Sequence, residues 1–350
     1  MATYTAVNDP GSFFNPLLYT GTGSSNAVTG VGFQPDAVWI KSRSDATDNV
    51  LYDAVRGAER VVYTNTQDAD AAATTGLTAF GADGFTVVSE GNVNGSSRTY
   101  VAWNWKAGTT TGIAGSPSTT PDSYSFNQTS GFSIIKYTGT GSVATIPHGL
   151  GVAPKFIITK NLDTSEDWFC YHAGIAADAE TDYINLNNTT NAADNATIWN
   201  DTAPTSTLFT VGTGNAVNKS GDNIMAYCFA DVSGYQRFGS FSGNGDADGA
   251  FVYTGFRPAY VMVTQSSGTG SYGWDILDDK RIGYNKDNDN LMASTSGVED
   301  DTNDYWDLVS NGFKIRASTG NVGQAASNYI YVAFAHQPFV NSKGVPCNAR

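Results

Sequence analysis

Short apolar runs rich in β-branched and aromatic residues recur along the chain at spacings near ten residues, each closed off by glycine, asparagine, proline or hydroxyl residues. Phe156-Ile157-Ile158-Thr159-Lys160 and Tyr260-Val261-Met262-Val263-Thr264 are typical, with a proline just before and polar residues after. Runs of this length and composition read as strands, since a pleated surface favours branched and aromatic side chains. Proline lacks the amide donor that a sheet ladder needs, so Pro35, Pro154 and Pro258 predict strand entrances. Helical periodicity is scarce and confined to short pieces such as 68–73.

Three motifs return in the same order. Leu18-Tyr19-Thr20-Gly21-Thr22-Gly23 comes back as Lys136-Tyr137-Thr138-Gly139-Thr140-Gly141 and as Ser240-Phe241-Ser242-Gly243-Asn244-Gly245. Gly32-Phe33-Gln34-Pro35 before an apolar run is matched by Gly151-Val152-Ala153-Pro154 and Gly255-Phe256-Arg257-Pro258, at nearly constant distance from the motif aromatic. Finally Phe85, Phe209 and Phe313 open an apolar pair of runs that ends in Tyr100-Val101-Ala102-Trp103, Met225-Ala226-Tyr227-Cys228 or Tyr329-Ile330-Tyr331-Val332. The intervening polar loops hold Asn92-Val93-Asn94-Gly95, Asn215-Ala216-Val217-Asn218 and Asn321-Val322-Gly323, so each pair predicts a closing β-hairpin. A period of this kind is the signature of a repeated fold. The expected fold class is all-β: three tandem repeats of an antiparallel, jelly-roll-like β-sandwich. The expected divisions are 1–107 with a short N-terminal arm, a Gly/Thr/Ser/Pro linker or extended crossing strand at 108–127, then 128–234 and 235–350 with a C-terminal tail.

Composition narrows the function classes. Charged residues are only 15% of the chain and the net charge is −14, with no basic segment, which argues against a nucleic-acid partner. The N-terminus has neither a basic start nor an apolar stretch, and no apolar run is long enough to span a bilayer, so neither a secretory signal nor membrane insertion is expected. Cys170, Cys228 and Cys347 have no metal-like spacing, and the first two fall in strand-like runs, where a buried thiol is expected.

The stretches GVGFQPDAVWIK, YVAWNWKAG, IPHGLGVAPKFIITKN, FGSFSGNGDADGAFVYTGFRPAYVM and YIYVAFAHQPFVNS together resemble a family of three-repeat structural proteins of marine bacteriophages, tail-fibre-like or otherwise on the virion surface. The resemblance covers nearly the whole chain. It implies a virion location, other virion structural proteins as partners, host-surface glycan or protein as a target, and a homo-oligomer; it brings no catalytic residues. Capsid decoration without receptor binding and a glycan-degrading enzyme are the alternatives.

Candidate chemistry is sparse. His148, His172 and His336 are scattered and read as structural, and no nucleophile-elbow motif occurs. Paired carboxylates could cleave glycans, but none of Glu59, Glu90, Glu166, Glu180 and Glu299 sits in a repeated motif. No cofactor is expected. Asp246, Asp248, Asp287 and Asp289 offer oxygen ligands in turns and read as solvated, with Ca²⁺ as the alternative. Contact with a partner is expected of the divergent residues Trp199, Trp274, Asp278, Lys280, Arg281, Tyr284, Tyr305 and Trp306. Trp168 and Trp274 follow their prolines at similar distances and are read first as core.

Overall fold

The computed structural model describes residues 5–281 and 289–347. It is predominantly β, and its paired strands run antiparallel. The first stretch holds β1 (Phe14–Thr20), β2 (Asn26–Thr29), β3 (Ala37–Ser42), β4 (Val50–Asp53), β5 (Arg60–Tyr63), β6 (Ala71–Ala72), β7 (Leu77–Gly81), β8 (Gly84–Val87), α1 (Gly91–Asn94) and β9 (Thr99–Trp105). Next come β10 (Ser123–Asn127), β11 (Phe132–Thr138), β12 (Ala144–Pro147), β13 (Phe156–Asn161), β14 (Phe169–His172), β15 (Asp182–Asn185), β16 (Ala193–Asp194), α2 (Ala196–Trp199), β17 (Leu208–Val211), α3 (Asn215–Asn218) and β18 (Asn223–Phe229). Last are β19 (Gln236–Ser242), β20 (Phe251–Tyr253), β21 (Phe256–Ser267), β22 (Asp275–Asp278), β23 (Leu291–Met292), β24 (Trp306–Val309), β25 (Gly312–Ile315), α4 (Gly320–Gly323) and β26 (Asn328–Pro338).

Three large sheets result, ordered β1-β9-β3-β4-β5-β6, β10-β11-β18-β13-β14-β15-β16 and β19-β26-β21-β22-β23. Each is accompanied by a small one: β2-β8-β7, β12-β17 and β20-β25-β24. The unequal sheet sizes differ from the two matched sheets of a jelly roll.

The expected closing hairpins do not form. β8 pairs with β2 and β7 in the small sheet, while β9 inserts between β1 and β3 of the large one; β17/β18 and β25/β26 part in the same way. Burial gives the reason. In β9 the alternate residues Tyr100 and Ala102 join the core shared with Phe85 and the small sheet, whereas Val101, Trp103 and Trp105 join the core shared among the large sheets. A strand with two apolar faces belongs at the centre of a covered sheet, not at the edge of a hairpin. The crossing is made by the one-turn helices. Buried Asn94 ties α1 down by accepting from Thr22 N at 2.9 Å and donating to the Ser24 carbonyl at 2.5 Å, and Asn218 does the same for α3 with Thr140 N at 2.8 Å and the Ser142 carbonyl at 2.6 Å. Tyr19 and Tyr137, the motif aromatics, each donate their hydroxyl to these turns, at Val93 O and Val217 O, both at 2.6 Å.

Two further expectations shift. Helix does not form at 68–73, where Ala71–Ala72 pairs with β5 instead. Pro35 and Pro154 stand just before β3 and β13 as expected, but Pro258 lies inside β21 at a β-bulge, where the missing donor is tolerated. The final residues of 108–127 form β10, the edge strand of the second large sheet, and Ser118 and Thr119 lie along β12.

The three large sheets are not beads on a string. Their inner faces pack on one another in a single core, at whose centre Trp105, Phe229 and Phe334 are mutual neighbours with ring centroids 6.4, 5.6 and 5.8 Å apart. The three occupy matching places, opposite Ala37, Phe156 and Tyr260 in the neighbouring strands. A cavity of about 40 Å³ remains there, lined by Trp39, Trp105, Phe132, Phe156, Trp168 and Phe334 among others. The N-terminal arm completes the closure: Ala6 N donates to Ser233 O at 3.0 Å and Phe14 stacks on Phe334 at 4.7 Å.

Candidate functional site

Two cyclic sets of contacts hold the seams between the large sheets. The first comes from the residue just before β4, β14 and β22. Asn49 Nδ2 donates to Ala293 O at 2.8 Å, Trp168 Nε1 to Tyr63 O at 2.9 Å, and Trp274 Nε1 to Asn185 O at 3.0 Å. Thus the first sheet binds the third, the second binds the first, and the third binds the second. The ring of donors closes within one chain.

The second set comes from the last residue of the same strands. Tyr227 OH donates to Asp53 Oδ2 at 2.7 Å, Trp103 Nε1 donates to Asp278 Oδ2 at 3.0 Å, and His172 Nε2 faces Tyr331 O at 3.0 Å. His172 Nδ1 accepts Gly174 N at 3.0 Å, so the ring must be neutral with its proton on Nε2. Burial accordingly pushes His172 down to about 4. His148 has the same arrangement, with Leu150 N on Nδ1 and Thr205 O opposite Nε2, and burial takes it to about 4 as well.

Each seam carboxylate also has an arginine three residues on. Arg56 Nε meets Asp53 Oδ2 at 2.5 Å and Arg281 Nε meets Asp278 Oδ2 at 2.7 Å, and both guanidinium groups donate again to the strand they leave, at Leu51 O and Ile276 O. Glu299 reaches both Arg281, at 3.2 Å, and Arg43, at 2.7 Å. Nearby Lys41 Nζ donates to Asn49 Oδ1 at 2.6 Å and Thr295 O at 2.8 Å, and burial pushes it down to about 7.

These positions revise the expected contact residues. Trp274, Asp278 and Arg281 are buried parts of the seams rather than exposed groups. Trp199 is buried in α2 with its ring 6.1 Å from Tyr171, and Trp306 is buried against Phe313 at 6.0 Å. The cause is the same for the three tryptophans, because so large an apolar ring gains more from the interior than from solvent, while Asp278 and Arg281 are buried as an ion pair. Tyr305 is half-buried, Lys280 is exposed, and Tyr284 lies outside the described residues.

Of the carboxylates suggested for Ca²⁺, three lie among the described residues. Asp246 and Asp248 are exposed, and Asp248 pairs with Lys314 at 2.8 Å. Asp289 is buried beside Arg43 at 3.6 Å, and Asp287 lies outside the described residues. Among the described residues, no group of three or more His, Cys, Asp or Glu is placed to hold a metal ion.

One open site lies along a seam. A cleft of about 280 Å³ separates the N-terminal arm, at Asn8 and Asp9, and Asn15 of β1 from Asp279, Lys280 and His336 of the third sheet. His336 Nδ1 sits 2.5 Å from Asp279 Oδ2, with the carboxylate side chain 4% and the imidazole 35% exposed. This fixes the ring at the cleft wall and leaves Nε2 as the nitrogen able to meet a polar ligand. Sequence reasoning missed the pair. The doublet Asp278-Asp279 at the end of an apolar run was the available signal, since two adjacent carboxylates there each need a partner.

Cys170 and Cys228 are buried free thiols, as expected, and Cys347 is half-buried and free. Among the described residues no helix is long and apolar enough to cross a membrane. Residues 9–338 match a family described as "Domain of unknown function (DUF7483)". No curated protein and no solved structure matches the chain.

Proposed function

We propose that this chain, which belongs to the DUF7483 family through that match over residues 9–338, is three tandem copies of one antiparallel sandwich unit closed into a ring, and serves as a structural component of a bacteriophage virion surface. In this reading each unit is one large and one small sheet. The part it plays is that of a tail fibre, tail tip or capsid-surface appendage, docked on neighbouring virion proteins and touching host-surface glycan or protein. The ring of cross-seam donors from Asn49, Trp168 and Trp274 carries the proposal. A chain that spends matching residues on joining three similar bodies into one rigid block is organised as a building element. Because the large sheets are satisfied inside the chain, any homo-oligomer is formed through outer surfaces rather than by completing the core.

Immunogold labelling and cryo-electron microscopy of intact particles test this, with density for a threefold-like block at a tail or capsid-surface position as the expected result. Absence of the protein from purified particles overturns it. Turnover of host envelope polysaccharide by the purified chain replaces it with the enzyme reading.

A further inference from the structure

We infer that β20 is an acceptor edge to which an extended segment of another polypeptide adds. This stands independently of the virion reading. Phe251 and Tyr253 are 50% and 53% exposed, next to each other on one face of a strand at the edge of its sheet. Ala250 O accepts Ile315 N, and Thr254 N donates to Asn311 O. In an antiparallel pair the bonding residues alternate, so the backbone groups of Phe251 and Tyr253 point to the open side.

The chain itself shows what covers such an edge. Val252, Ile146 and Val28 take the same place opposite Phe313, Phe209 and Phe85, so Phe251 corresponds to Thr145 and Ala27. At β12 the outward groups of Thr145 are occupied: Thr119 N donates to its carbonyl at 3.2 Å, and its own N–H donates to Ser118 Oγ at 2.8 Å. The covering segment comes from the long connection 108–122 that precedes β10. The connection between β18 and β19 is only residues 230–235 and leaves nothing to lie on β20. Among the described residues the edge of β2 is also bare, but it shows Ala27 and Thr29, the small and polar residues that keep an edge inert. β20 instead presents two aromatic rings beside free backbone groups, the combination that strand addition uses for anchoring and register. By analogy with 115–119, the occupant is an extended segment with small and hydroxyl side chains.

The test uses the full chain and its variant Phe251→Thr/Tyr253→Pro, which copies the Thr145 and Pro147 edge of β12 and so preserves the fold. Random linear peptides are displayed and selected on the full chain. Expected are peptides that slow amide exchange at Phe251 and Tyr253 and lose at least about tenfold in affinity for the variant. Selection of no peptide, or of peptides that bind the variant equally, overturns the inference. Sedimentation of the chain alone supplies the remaining outcome: self-association abolished in the variant shows that the occupant is a second copy and overturns the assignment to another polypeptide.

Discussion

The indole N–H of Trp274 reaches out of the third large sheet to the backbone carbonyl of Asn185 in the second, 3.0 Å away and out of contact with solvent. Trp168 does the same to Tyr63 and Asn49 to Ala293, so three residues at one structural position fix three seams. Replacing Trp274 with Phe keeps most of the ring but strands a buried carbonyl. The expected loss is about 1–3 kcal/mol in urea unfolding, and Trp168→Phe should lose a similar amount. A change under about 0.5 kcal/mol in both would mean that the seams are held by packing alone.

Because the inner faces share one core, the chain is expected to unfold in a single transition, with tryptophan fluorescence and far-ultraviolet circular dichroism coinciding. Three resolved transitions would instead describe independent bodies. Residues 1–107 expressed alone would expose Trp39, Trp103 and Trp105 and should aggregate.

Much of this was legible in the chain, and the limits have physical causes. Strand type was readable because Thr, Val, Ile and aromatic runs fit a pleat whatever the tertiary context, and the recurrence of Tyr19, Tyr137 and Phe241 signalled matching elements. Partnering was not readable. β8 and β9 are neighbours in sequence separated by a turn-like loop, and nothing local says that Asn94 will turn that loop into a crossing between sheets. Charge misled in the same way: Asp278 and Arg281 look like exposed contact groups, yet three-residue spacing lets them neutralise each other in the interior. Trp199 and Trp306 looked exposed because their spacing is irregular, whereas ring size decided their burial. The site residues His336 and Asp279 are 57 positions apart and meet only through the pairing of β21 with both β22 and β26.

Phe313, Phe209 and Phe85 are all buried, paired with Val252, Ile146 and Val28 in the small sheets. Phe313→Ala is expected to cost about 3–5 kcal/mol in denaturant unfolding. A loss under about 1 kcal/mol would show that the third small sheet is only loosely packed on its partner.

Two buried groups give the stability profile opposite slopes. Burial depresses His172 from its ordinary 6.5 to about 4, so its contribution is fully present above pH 6.5 and is lost as pH falls through about 4. Asp275 runs the other way: burial raises it from 3.8 to about 7 despite hydrogen bonds from Asn290 and Asn321, so the stability it favours is present below pH 3.8 and lost as pH rises through about 7. Asp275→Asn should therefore raise the unfolding midpoint at pH 8 and leave it nearly unchanged at pH 4. Equal shifts at both pH values would assign the effect to packing rather than to ionisation.

The Asp278 and Arg281 pair separates a buried structural role from the contact role that their sequence context suggests. Both side chains are 0% exposed, and Asp278 also accepts the Trp103 indole across the seam. Removing the arginine alone leaves a carboxylate without its counter-charge in the interior, so Arg281→Leu should cost about 3–5 kcal/mol. Neutralising the acid as well removes that uncompensated charge, since Asn at 278 retains an oxygen for the Trp103 N–H. The double variant Asp278→Asn/Arg281→Leu is therefore expected to recover part of the loss, and urea unfolding of the single and double variants measures the coupling. If Arg281→Leu unfolds like the parent chain, the guanidinium is accessible and the pair belongs to an exposed contact surface after all.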